Sequence, residues 1–257
     1  MRWRQQWIAF ETLVIKEFLR FIRIWVQTVL PPVVTTALYF IIFGNLIGRQ
    51  IGPMEGFSYM DYIVPGLILM AVITNSYANV VSSFFSAKLQ HYVEEMLVAP
   101  IPNYVILAGF VAGGVARGLT VCAAVSTTAF LFASFHLHSL ATVLSMILLT
   151  SILFSLAGFI NGVYARTFDD ISIVPTFVLT PLTYLGGVFY SLDMLPAFWQ
   201  KLSLANPILY MINAFRYGIL GITDIPLALS YGIVIGFILV LGALALRLLD
   251  RGYGIRH

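Results

Sequence analysis

Apolar residues follow two different patterns along the chain, and the change from one to the other lays out the elements. Between Trp3 and Trp25 the residues Trp3, Trp7, Phe10, Val14, Phe18, Phe21 and Trp25 fall three and four apart, which makes one stripe of a helix. Lys16, Arg20 and Arg23 repeat at the same spacing, offset by two. An aromatic face backed by a basic one predicts an amphipathic helix over residues 1–23, lying at a membrane surface beside anionic headgroups. Beyond it, apolar residues fill all sides of a helix for about 20 residues at a time, the length that crosses the hydrocarbon core. These stretches predict six spans, at about 24–47, 62–85, 104–135, 140–164, 171–190 and 227–246. Pro31 and Pro32 predict a kink in the first. The third is too long for one crossing, so its first part is expected at the cytoplasmic surface.

Two connecting segments carry patterns of their own. Leu89, Tyr92, Val93, Met96 and Leu97 form a short apolar stripe, with Gln90, His91, Glu94 and Glu95 on the other face and Pro100 and Pro102 ending the pattern. The spacing predicts an amphipathic helix of about three turns between spans two and three, shaped to dock on a partner groove. The stretch 191–224 is apolar enough to enter a membrane, yet Pro196, Pro207, Gly218 and Gly221 divide it. It predicts two short helices that dip into the outer leaflet and return, the second N-capped by Asn206 with Pro207 in its first turn. Arg216 then needs a carboxylate, carbonyl or headgroup partner, because an unpaired charge in lipid is costly.

Composition places all of this in a membrane. Charged residues make up 10% of the 257 and apolar ones 60%, whereas about 25% are charged in an ordinary soluble domain. The net charge of +3 does not point to nucleic acid, since the cations flank the apolar stretches instead of forming one run. With the N-terminus inside, eleven of the fourteen Lys and Arg residues fall on the cytoplasmic side. Only Arg49, Lys201 and Arg216 fall opposite. That bias predicts cytoplasmic termini.

Candidate chemistry is sparse. No G-x-x-x-x-G-K-[ST] phosphate loop occurs, so the chain is not expected to hydrolyse ATP itself. His136-x-His138 lacks a nearby third ligand, and the single Cys122 permits no internal disulfide. Gly109-x-x-x-Gly113 and Gly114-x-x-x-Gly118 suit close helix packing. Asp169 and Asp170 suit the start of the fifth span, where carboxylates favour the helix dipole. No carboxylate falls between the ends of the six spans, which disfavours a proton-coupled carrier.

The run Leu179-Thr-Pro-Leu-Thr-Tyr-Leu-Gly186-Gly-Val188, then Leu195-Pro196, then Asn206-Pro207-Ile-Leu-Tyr210 and Arg216 resembles the signature of ABC-2 type permeases. The likeness extends over essentially the whole chain. It implies an all-α fold and a half-transporter of the bacterial inner membrane. Two copies would form the pathway, and two copies of a separate ATPase, which binds the ATP and Mg, would drive it. It also implies that Lys16, Arg20 and Arg23, with Gln90, Tyr92, Val93, Glu94, Glu95, Met96 and Leu97, face that ATPase. Gly186, Pro196, Asn206, Pro207, Tyr210 and Arg216 are the implied signature residues of the outer break. Family members export polysaccharides, lipids, drugs or other hydrophobic compounds. The rival reading is a membrane scaffold or assembly protein that transports nothing.

Overall fold

The structure, a computed structural model, describes residues 3–134 and 137–252. Arg2, Phe135, His136, Arg256, His257 and the side chain of Arg49 lie outside the described residues. The chain is helical, and among the described residues the single β feature is an isolated bridge between Met54 and Phe57. Helix α1 (Trp3–Arg23) breaks at Ile24 and leads into α2 (Trp25–Tyr39). A π-helical stretch, Phe40–Ile47, carries α2 on into α3 (Gly48–Ile51). Then follow α4 (Tyr59–Leu89), α5 (Tyr92–Val98), α6 (Asn103–Ala129) and α7 (Leu140–Tyr164). Short α8 (Asp170–Val174), a π-helical turn Pro175–Leu179 and α9 (Thr180–Tyr184) adjoin as one rod. The chain closes with α10 (Ala197–Leu204), α11 (Pro207–Leu220) and α12 (Leu227–Arg251).

Among the described residues, five helices are long and apolar enough to cross a bilayer: Trp25–Gly44, α4, α6, α7 and α12. The expected fifth span differs. Its helical rod stops at Tyr184 rather than continuing to residue 190, because Gly187 turns the backbone to φ +76°. Fifteen helical residues reach about 22 Å, short of the roughly 30 Å hydrocarbon core. The expected third span is also shorter, since its helix ends at Ala129.

Helix starts follow local chemistry. Ser58 Oγ accepts from the Asp61 N–H at 3.1 Å and donates to the Asp61 carboxylate at 2.6 Å, which begins α4. Thr167 and Asp170 repeat the exchange before α8: Thr167 Oγ1 accepts from the Asp170 N–H, and Asp170 accepts from the N–H groups of Arg166 and Thr167. Lys88 serves a helix end. Its Nζ donates to the carbonyls of Val163 and Ala165 at 2.7 and 2.8 Å, which caps α7.

Helix α4 is the central post. It is largely apolar, and 83% of its most apolar stretch is buried, against 17% for the first span and 22% for α12. It packs most heavily on α7 and α6, and α1 packs on α6. The glycine pairs of α6 explain how these helices come so close. A Cβ on Gly109 or Gly113 would strike Leu13 or Glu17 of α1. One on Gly114 or Gly118 would strike Ser155 and Val80, or Ser76 and Ser151, on α7 and α4. The two motifs therefore serve opposite sides of α6, and packing is the use they are put to.

Candidate functional site

Helix α5 lies at one end of the bundle and is shorter than the expected three turns. His91 takes the left-handed conformation (φ 61°) and separates Leu89, the last residue of α4, from a helix of seven residues. Gln90 closes α4 as its C-cap. Of the stripe expected to dock on a partner, Val93, Met96 and Leu97 turn inward, while Leu89 and Tyr92 stay exposed. Val93 is fully buried among Val80, Phe84, Ile106 and Phe159, with Met96 and Leu97 packed beside it. Exposed at this end are Tyr92, Glu95 and Val98, the last at 87%. Glu94 is bonded to His91 Nδ1 at 3.1 Å. Apolar residues this close to the bundle gain more by filling its open end than by waiting in water.

Helix α1 is likewise not a plain surface helix. Leu13, Glu17 and Phe21 are buried against α6, so the aromatic stripe is split: Phe21 is inside while Trp3, Trp7, Phe18 and Trp25 remain exposed. Lys16 and Arg23 stay exposed, but Arg20 turns into the protein. Its Nη2 donates to Asn79 O and Oδ1 at 2.9 and 2.7 Å, and its Nε lies 3.3 Å from the Glu17 carboxylate. Glu17, 1% exposed, also accepts from Ser83 Oγ at 2.7 Å. One turn further along α4, Asn75 Oδ1 accepts from Arg117 Nη2 at 3.1 Å. Asn75, Asn79 and Ser83 thus form a polar seam up α4, about 12 Å long. Sequence reasoning passed over this seam. Its signal was three amide or hydroxyl residues at i, i+4 and i+8 on an otherwise apolar helix.

At the other end of α4, several of the predicted signature residues lie near the break after Tyr184. Leaving the helix at this depth frees carbonyls that protein must satisfy. Arg216, 4% exposed on α11, donates to Gly187 O at 2.5 Å and lies 4.0 Å over the Tyr62 ring. Asn206 Nδ2 donates to Leu182 O at 2.6 Å while its Oδ1 accepts from the Ile208 N–H, the N-cap that its position before Pro207 predicts. Tyr59 Oη donates to Phe189 O at 3.1 Å. Tyr210 Oη donates to Leu204 O at 2.7 Å and ties α11 to the end of α10, which begins after Pro196. A Cβ on Gly186 would stand 2.8 Å from Ile208, so that glycine lets the break sit against α11.

A family model described as "ABC-2 type transporter" matches residues 8–220, which takes in most of α1, the α5 loop, the seam and the break after Tyr184. The chain belongs to the ABC-2 type transporter family. It is 60% identical to the inner membrane transport permease YadH of Escherichia coli K12, over 97% of this chain and 98% of that one. More distant similarity extends to nodulation protein J of Rhizobium leguminosarum bv. viciae, 22% identical over 97% of this chain and 92% of the relative. Nodulation protein J of Sinorhizobium fredii NGR234 is 25% identical over 96% and 93%. This ABC-2 chain is therefore a membrane permease subunit. Of the signature residues, Gly186 stands against Ile208, Asn206 bonds to Leu182, Tyr210 to Leu204 and Arg216 to Gly187. Tyr92 and Glu95 are exposed on α5, whereas Val93, Met96, Leu97 and Arg20 are engaged within the chain.

Proposed function

We propose that this ABC-2 permease forms, as a dimer, the membrane pathway of an ATP-driven exporter in the bacterial inner membrane. Two copies of a separate ATPase, which bind ATP and Mg, power it. The observation that carries the reading is α5. This two-turn helix is anchored by Val93 at the cytoplasmic end of α4 and offers Tyr92, Glu95 and Val98 outward. A rigid knob fixed to the central post of the bundle suits the transfer of a push from a soluble partner to the membrane helices. In this reading 170–184 completes a sixth span with the non-helical residues that follow, both termini are cytoplasmic, and α10 and α11 are re-entrant from outside. The second copy covers apolar surface left open on α2 and on the 170–184 rod, such as Leu30, Leu38, Phe177 and Val178. Lys16 and Arg23 flank the partner site.

The test is co-expression of the tagged permease with candidate soluble ABC ATPases of the same organism. The two should co-purify from detergent, and inside-out vesicles should show transport that needs ATP hydrolysis. A permease that inserts normally yet never retains an ATPase would favour a scaffold role and overturn the exporter reading.

A further inference from the structure

Beside the seam, between α2, α4 and α6, lies a cavity of about 340 Å³ whose polar lining includes Gln27, Thr35, Thr36, Tyr39, Asn75 and Arg117. Arg117 is 14 residues into α6, about 21 Å along the helix from Asn103. Its neighbour Arg20 is neutralised by Glu17, but among the described residues no carboxylate lies within ion-pair distance of Arg117. Its one hydrogen bond to the described protein is the bond to Asn75, and its buried Nε has no partner. Asn75 is itself held, donating to Ala71 O at 3.0 Å, so it aims Oδ1 at the guanidinium. A half-buried charge whose Nε is shut off from water and without a counter-ion is costly to maintain. Helix packing alone would be served by a neutral residue.

We propose that this cavity binds the anionic headgroup of a membrane amphiphile, a phosphate or carboxylate on an apolar body, with Arg117 as the anion-binding residue. The assignment deepens the exporter reading and rests on it for the direction of movement. The planar guanidinium offers paired N–H donors that match either oxyanion. Thr35 and Gln27 add neutral donors, and Leu67, Met70 and Pro31 give an apolar wall for the rest of the molecule. The cavity is of ligand size.

The full-length permease is reconstituted in phosphatidylcholine nanodiscs that carry a photoactivatable phosphatidylglycerol or its phosphatidylcholine counterpart. Labelled peptides are then mapped by mass spectrometry. The phosphatidylglycerol probe should label the α2 and α4 segments about tenfold more than the zwitterionic one, the worth of one charge-assisted hydrogen bond. Arg117→Gln should bring the two probes level, Arg117→Lys should keep much of the difference, and Arg166→Gln on an exposed loop should change nothing. Equal labelling of the wild-type chain by both probes overturns the proposal, and this arm needs no variant to fold. Displacement of the label by millimolar glycerol phosphate would assign the site to a soluble anion and overturn the amphiphile. Selective labelling in a permease without ATP-driven transport would count against the exporter reading alone. Transport without selective labelling would count against the site alone.

Discussion

Arg216 shows what a single side chain can hold in place. It satisfies Gly187 O and stacks on Tyr62, so Arg216→Ala leaves a carbonyl unpaired at membrane depth and empties a packed position. The unpaired group alone should cost about 1–3 kcal/mol, read as lower monodisperse yield and a lower melting temperature in detergent. Arg216→Lys should recover only part of this, since an ammonium cannot lie flat on the ring while reaching the carbonyl. Unchanged yield and melting in both variants would mean that the contact is incidental. Glu55, in the outer loop, makes a pH-dependent contribution. Burial first, and the nearby Asp224 second, raise its carboxyl above the ordinary 4.5. The folded chain therefore binds this proton more tightly than the unfolded one. The associated stability is complete below pH 4.5 and is lost as pH climbs through the raised value. Melting temperature should fall across that window, and Glu55→Gln should flatten the fall. An identical slope in the variant would remove Glu55 from the cause.

At the scale of elements, the two sides of α5 should respond oppositely to the same chemistry. Val98→Asp and Glu95→Lys alter the open edge and should weaken ATPase co-purification with insertion unaffected, because a mismatched charge at an interface can cost several kcal/mol. Val93→Asp buries a charge in the bundle and should lower the folded yield before any partner is involved. If all three behave alike, α5 has no separate docking edge. The glycines of α6 and α12 make a second contrast. A Cβ at Gly118 would stand 2.2 Å from Ser76 Oγ, so Gly118→Val should cost about 1–3 kcal/mol or more through overpacking. Gly236 has nothing within 4 Å, and Gly236→Ala should be neutral or stabilising by up to about 1 kcal/mol within the single chain. Thermal unfolding of the two variants in detergent checks both expectations.

For the whole molecule, topology is the decisive property. Reporter fusions after Lys88, Arg166 and His257 should read as cytoplasmic and those after Glu55 and His138 as external. An external reading at His257 would break the six-span arrangement. Much of this molecule was legible in advance. Five span-length helices, the Asn206 cap, the broken region before α12 and the glycine notches each rest on local rules of length, capping or size, and those rules act within a few residues. The family signature was legible as a run of residues, and two of them, Asn206 and Arg216, satisfy carbonyls at the helix break. What periodicity could not decide was which face of α1 and α5 would be covered. An apolar stripe and a polar one look the same whether the apolar side meets lipid, a partner or the chain's own bundle. Tertiary structure turned Val93 inward because α4 and α6 leave an opening there, and turned Arg20 inward because Asn79 and Glu17 wait for it. Arg117 belongs to the same class. Its residue type and depth follow from sequence, but only the packing of α2, α4 and α6 shows that the one charge on α6 has no carboxylate to meet. The sequence by itself determined that this is an all-helical membrane permease with its breaks and caps in place, since apolar length and turn chemistry are local. Which polar groups meet inside it was decided by helix packing, which brings together residues as far apart as Arg20 and Asn79.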